Sequence, residues 1–356
     1  MLRRGLATFR PDIVPPANAA SLQRVNDGPP PEISQAAHAR AAARAARDWA
    51  EADRLRALIE AGGWRIVDRG THFALSLAGP RDVADGERVR YGRSDAVPSR
   101  LGEPATLAAT LVIRATDAPE DLTRLLDGLR RHAPEGTQVV LVADAPSAAQ
   151  TATLEAPDGP ATEPIAGLAP EVIWTVDRLG HAGAANTGLR RSLGRTVVLV
   201  DSSVEPTGDI VTPLVRALDD PSAAVVGERG LTSTDLRHFS EALAGEVDAI
   251  DGSLMAFRRD DFVARGPLDE RFGTGKHLDT WWSFVLRDDA GTTGPRRAVR
   301  VDALPLVRHE PRDDASIPDD QRVRLDKRAF YRFIERFGSR RDLLVADGKG
   351  RRPARE

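Results

Sequence analysis

Residues 197–208 read VVLVDSSVEPTG. Four apolar residues run into Asp201, two serines follow, and Glu205-Pro206 closes the stretch. An apolar run that ends on an acid predicts a buried strand delivering a carboxylate to the edge of a sheet. Asp201 alone is a weak signal, because an Asp after a strand also caps turns. What gives it weight is the chain before it. From residue 106, strand and helix patterns alternate. TLAATLVIRA, TQVVLVAD, PEVIWTVD and RTVVLVD read as strands, and the intervening segments APEDLTRLLDGLRRHA, PSAAQTATLEA and AGAANTGLRRSLG read as helices. This alternation predicts a parallel sheet with helices on both faces. Ligands of such sheets bind beyond the carboxyl ends of the strands. Thr116, Asp144, Asp177 and Asp201 each follow a strand, so one edge gathers all four.

The chain has 356 residues, a net charge of −3, 41% hydrophobic and 29% charged residues, and no cysteine. It is long enough for one large or two to three ordinary domains. The missing cysteines exclude disulfides, thiolate metal sites and a cysteine nucleophile. The slight negative charge gives no overall basic field for nucleic acid. No apolar run approaches the roughly 20 residues of a membrane helix, and the first residues lack an apolar segment of signal-peptide length. The expectation is a cytoplasmic protein without an integral membrane segment.

Outward from the central repeats, residues 1–29 are rich in Pro, Ala and Asn and read as a disordered segment. Residues 30–78 read as two Ala- and Arg-rich helices, stopped by Gly62-Gly63, and two short strands around Asp68-Arg69-Gly70. Residues 79–105 lack periodicity and read as a linker. After residue 222, AAVVGERGL, AIDGSLMAFRR and RAVRVDALPLVRHEP read as strands. LDTWWSFVLRDDAG reads as a helix ending in Gly291. Residues 313–339 hold a terminal helix with apolar positions at Val323, Phe330, Ile334 and Phe337, and 340–356 a basic tail.

Residues 106–312 resemble family 2 glycosyltransferases of the GT-A fold. The resemblance rests on LVIRATDAPEDLTRLLDGL, VVLVADAPS, DRLGHAGAANTGLRRSLGRTVVLVDSSVEPTGD, DGSLMAFRRDDFVARGPLDERFG, LDTWWSFVLRDDAG and LVRHEP. It implies an α/β fold with a doubly wound, mostly parallel sheet, and non-processive sugar transfer from a nucleotide-diphosphate sugar to an acceptor hydroxyl, with inversion. It assigns Thr116, Asp144, Asn186 and Asp201 to the nucleotide. It implies a divalent cation, Mn²⁺ or Mg²⁺, held by Asp201 and His309. Asp201 matches the first acid of the family's Asp–x–Asp motif, and Ser203 stands where the second would be. Asp279, at a helix start, matches the carboxylate that acts as general base. Of Trp281 and Trp282, one packs in the core and the other forms a wall for the sugar or acceptor. The substitution at Ser203 keeps a second reading open, a GT-A protein that binds without catalysis. A nucleotidyltransferase ranks below both, since RATDAPED after the first strand has no glycine.

Residues 30–77 are similar to the C-terminal region of cysteinyl-tRNA synthetases. Arg47, Asp48, Trp49, Ala50, Ala52, Asp53, Leu55, Arg56, Asp68, Gly70 and Thr71 carry this similarity. The synthetase's catalytic domain is missing, so the similarity implies a docking module. RNA binding through its Arg-rich helix face is the lesser reading, because stacking aromatics are sparse.

Overall fold

The computed structural model of the chain describes residues 29–69, 72–242, 245–289, 295–312, 315 and 317–345. The readings of residues 1–28, of Gly70, Thr71 and Gly291, and of the tail beyond residue 345 lie outside them. Two compact units divide the chain, Met1–Pro80 and Arg81–Glu356.

In the first unit α1 (Pro31–Ala45) and α2 (Trp49–Ala61) form a helix pair, and β1 (Trp64–Arg69) and β2 (His72–Leu77) an antiparallel hairpin. Pro31 opens α1, where its missing N–H is not needed. Asp48 caps α2 by accepting from the Glu51 N–H at 3.1 Å. Ile33, Ala37, Leu55, Ile59, Trp64 and Ile66 form the core of this unit. Arg40 is buried within it and donates to both oxygens of Asp68, at 2.8 and 3.1 Å. This paired bond clasps α1 to the hairpin. It also holds the Asp68 carboxyl below the usual range. Asp68, one of the residues carrying the synthetase similarity, therefore has a structural task here. Trp49, another of them, is 56% exposed, with the Arg44 guanidinium 5.8 Å from its ring centre.

The second unit begins with β3 (Val83–Asp85) and β4 (Arg88–Tyr91). The repeats follow: β5 (Leu107–Ala115), α3 (Pro119–His132), β6 (Thr137–Ala143), α4 (Ala148–Glu155), β7 (Glu171–Thr175), α5 (Gly180–Leu189) and β8 (Gly194–Val200). Next come β9 (Val204–Pro206), α6 (Val211–Ala217), β10 (Ala223–Gly227), β11 (Gly230–Thr232), β12 (Ser240–Ala242), β13 (Glu246–Val247), β14 (Ala249–Ile250) and β15 (Leu254–Arg258). The unit closes with α7 (Arg259–Arg265), α8 (Leu278–Arg287), β16 (Arg297–Arg300), β17 (Leu306–Arg308) and α9 (Asp319–Phe337).

The main sheet has ten strands in the order β13-β16-β10-β15-β8-β5-β6-β7-β4-β3. Strands β8, β5, β6, β7 and β4 are parallel neighbours, whereas β3, β13 and β15 run against the rest. The sheet is mostly parallel, and β6 is buried along its whole length, as expected for a strand covered on both faces. Alternate residues point to opposite faces: Leu111 and Ile113 pack under α3, α4 and α6, while Val112 packs with α5, α8 and α9. Gly188 lets α5 approach β5 closely, because a Cβ there would run into the Val112 side chain.

Three sequence readings differ from the structure. The 79–105 segment, read as a linker, contributes β3 and β4 to the sheet, and Arg88 and Arg90 stack on Trp174 at 4.7 and 5.1 Å. Strands of three and four residues are too short to show a period. In α9 the buried stripe is Ala329, Phe333 and Phe337, and Val323 is exposed. Helix α8 ends at Arg287, ahead of the expected stop.

Candidate active site

A pocket of about 870 Å³ lies in the second unit, at the carboxyl edge of the central strands. Asp201 follows β8 there and is half-buried. Its Oδ1 accepts from the Ser203 N–H at 2.8 Å, and its own N–H donates to the Ser253 carbonyl at 2.9 Å. Ser253 belongs to the β14–β15 turn, where Asp251 Oδ1 accepts from the Ser253 N–H at 3.0 Å and from its hydroxyl. The middle residue of that turn, Gly252, donates its N–H to Asp279 Oδ2 at 3.1 Å. One tight turn thus gathers three pocket-lining carboxylates, Asp201, Asp251 and Asp279. Arg308 and Arg229 stand 3.6 and 3.9 Å from the Asp251 oxygens and offset part of that charge.

Asp279 is the second residue of α8. It does not cap the helix; His277 occupies the cap position, with left-handed backbone at φ 63°. Such a conformation in a non-glycine residue is uncommon. It turns the chain so that the first turn of α8 meets the β14–β15 turn. Asp279 Oδ1 accepts from the Thr280 N–H at 2.6 Å. Burial, and then the Asp251 charge, push the Asp279 carboxyl up to about 6. A group at that value can hold or release a proton near neutrality.

Of the residues expected at the site, Asp201, Asp279 and Trp282 line the pocket, whereas Thr116, Asp144, Asn186, Trp281 and His309 do not. Thr116 is buried, and its carbonyl accepts from the Ser147 N–H at 3.0 Å. Asp144 is fully buried and engaged by Arg114 Nε at 3.0 Å and the Leu179 N–H at 2.6 Å. Asn186 fastens α5 to the 268–270 segment: its amide nitrogen donates to the Leu268 carbonyl and Glu270 Oε1, and its oxygen accepts from the Leu268 N–H, each at 2.9 Å. Trp281 and Trp282 are 5% and 1% exposed and stack on each other at 6.2 Å. Both rings are packed into the core, and of the two only Trp282 also borders the pocket. Asp251 and His277 were not read from the sequence. The Asp-Gly pair of the turn was the only hint of the former, and a turn explains it without chemistry.

A divalent cation asks for several oxygen or nitrogen donors aimed at one point. Asp201 is the motif's only acid, and one of its oxygens is committed to Ser203. Ser203 is 2% exposed and outside the pocket lining. His309 Nε2 faces Glu205 Oε2 at 2.7 Å. This corrects the pairing of His309 with Asp201: β17 runs beside β9, which sets His309 against Glu205. Among the described residues no group of three or more His, Asp or Glu is placed to hold a metal ion. These residues do not fit a metal centre built by the protein. Accordingly Ser203→Asp is expected to leave Mn²⁺ affinity, measured by calorimetry, unchanged. It should lower stability by roughly 2–4 kcal/mol, because it buries a charge without a partner. A gain in Mn²⁺ affinity would restore the Asp–x–Asp reading.

The site therefore consists of a half-buried carboxylate poised near neutrality beside a strand-end acid, at the ligand edge of an α/β sheet. Residues 110–276, a little under half of the chain, match the family described as Glycosyl transferase family 2. Among solved structures, the chain is similar to the mannosyltransferase PcManGT from Pyrobaculum calidifontis, in complex with GDP-Man and Mn²⁺. That pair shares 18% identity over 68% of this chain and 69% of that one, with a TM-score of 0.47. It is also similar to GalNAc-T7 with UDP, GalNAc and Mn²⁺, at 15% identity and a TM-score of 0.48, over 64% of this chain and 48% of that one. No curated protein matches the sequence. Among the described residues, no helix is long and apolar enough to cross a membrane.

Proposed function

We propose that the second unit is a non-processive, inverting glycosyltransferase that moves a sugar from a nucleotide-diphosphate sugar to an acceptor hydroxyl. The observation that carries this reading is the Asp279 carboxyl at about 6, three residues beyond the segment that matches family 2, set in a pocket with Asp201, which lies inside that segment. In the reaction Asp279 takes the proton of the acceptor hydroxyl. The hydroxyl oxygen forms a bond to the anomeric carbon as the bond from that carbon to the phosphate oxygen breaks on the opposite face. The nucleoside diphosphate leaves with the bonding pair. Asp201 orients the donor at the strand edge. Thr116 and Asp144 shape the nucleotide end from beneath, Asp144 by holding Arg114, which lines the pocket. Mn²⁺ accompanies GDP-Man in one structural neighbour and UDP and GalNAc in the other. In this chain a divalent cation would lean on the donor phosphates more than on protein ligands. The N-terminal unit serves as a docking module.

Thermal shift against a panel of UDP-, GDP- and dTDP-sugars, each with Mn²⁺ and with EDTA, tests the reading. At least one donor is expected to stabilise the protein. Silence across the panel removes it. The substitution at Ser203 favours one second reading, a protein that binds the donor without transferring it. Donor binding with no sugar release or transfer to any offered acceptor would support that alternative.

A further inference from the structure

The pocket does not end at the carboxyl edge of the sheet. One row inward from Asp201 and Ser253, three residues of adjacent strands stand side by side. Val112 of β5 is in register with Leu199 of β8, and Leu199 with Met255 of β15. All three border the pocket, Val112 and Met255 from buried positions at 4% and 1% exposure. Leu199 is only partly covered, although β8 has five strands on one side of it and four on the other. Residues of such a central strand are ordinarily sealed by helices. Here α5 lines the pocket with His181, Ala184 and Ala185, the last two small, and Ala185 is itself partly exposed. Small side chains on α5 leave a gap where a Leu would have closed the face. Leu268 and Trp282 bound the gap. The result is an apolar chamber directly behind the three carboxylates.

The diphosphate and sugar of a nucleotide-diphosphate sugar have no use for such a floor; only its flat base could compete for it, and a donor seated there would lose its thermal shift in variants that fill the recess. A phosphate or sugar hydroxyl pressed onto Val112, Leu199 and Met255 would lose its water and gain no partner. Water itself gains little in an apolar recess. An aryl or alkyl group is favoured there in proportion to the area it buries. The acids at the mouth ask for something else: a hydroxyl within reach of Asp279. The two demands are met by one molecule with a polar head and an apolar body.

We propose that the acceptor is amphiphilic, a hydroxyl-bearing molecule whose aryl or short alkyl body seats on the Val112–Leu199–Met255 row while its hydroxyl meets Asp279. The role of that hydroxyl rests on the glycosyltransferase reading; the seating of the apolar body does not. Octyl β-D-glucoside, kept below its micelle concentration, and methyl β-D-glucoside are the probes, titrated into the whole protein by calorimetry. The octyl compound is expected to bind about tenfold or more tightly than the methyl one, from burial of part of its chain. Ala185→Phe, which fills the chamber from a partly exposed position, should abolish that difference. Leu199→Thr, a milder change of the floor, should reduce it several-fold. In both variants the thermal shift caused by the stabilising donor should persist, which reports an intact fold and donor site. Equal binding of the two glucosides, or octyl binding that survives both variants, overturns the proposal. Octyl binding that both variants weaken, with no response to any nucleotide sugar, keeps the chamber and removes the glycosyltransferase reading instead.

Discussion

Asp279→Asn is expected to lower transfer by about 10²–10⁴-fold while leaving donor affinity within about twofold. The amide keeps the size of the side chain and can still accept one of the backbone N–H bonds, but it cannot take a proton. In the parent protein kcat/KM should fall about tenfold per pH unit below about 6, because protonated Asp279 is inactive. Asp251→Asn should move that limb to lower pH, since the Asp251 charge is the second cause of the raised value. Stability gives an independent reading. The folded carboxyl binds its proton more tightly than the unfolded one. Its contribution to stability is therefore fully present below about pH 3.8 and is lost as pH rises through about 6. Asp279→Asn should thus be more stable than the parent at pH 8, by on the order of 1–2 kcal/mol, and lose that advantage near pH 4. Thermal melts across pH measure this. Retained turnover in the variant would remove Asp279 as the base.

Asn186→Ala is expected to destabilise the protein by roughly 2–4 kcal/mol, about 5–15 °C in Tm for a unit of this size. Both ends of the amide are spent on the 268–270 segment, so the substitution leaves the Leu268 N–H and carbonyl buried without partners. Glu270, which also accepts from the Ser94 hydroxyl, loses one of its donors. Donor affinity measured well below the melting range should change by less than about threefold, because Asn186 lies outside the pocket lining. The reverse pattern, an unchanged Tm with a large loss of donor affinity, would return Asn186 to the nucleotide site.

These two residues mark what a sequence can disclose about a site of this kind. Strands β5 to β8 and their helices were legible because continuous apolar runs and amphipathic helices alternate at regular lengths. Asp201 and Asp279 were legible because a strand end and a helix start fix where a side chain emerges. Asn186, Trp281 and Trp282 were placed on the right helices, but the rotation of a helix against its sheet decides which face a residue shows. That rotation is set by packing, here by Gly188 on Val112 and by the aromatic cluster under α8. His309 finds Glu205 across 104 residues of chain, a contact no local pattern encodes. Asp251 was hidden because an Asp-Gly turn has a sufficient local explanation.

The pairing of β4 with β7 bears on how the protein can be trimmed. The change of pattern at residue 106 invites a cut there. Such a cut would take away β3 and β4 and leave β7 as a bare edge, with Trp174 stripped of the two guanidinium groups that cover it. An open parallel edge of that kind recruits strands from neighbouring molecules. A shortened chain that begins near residue 81 keeps its edge closed, and its solubility should follow.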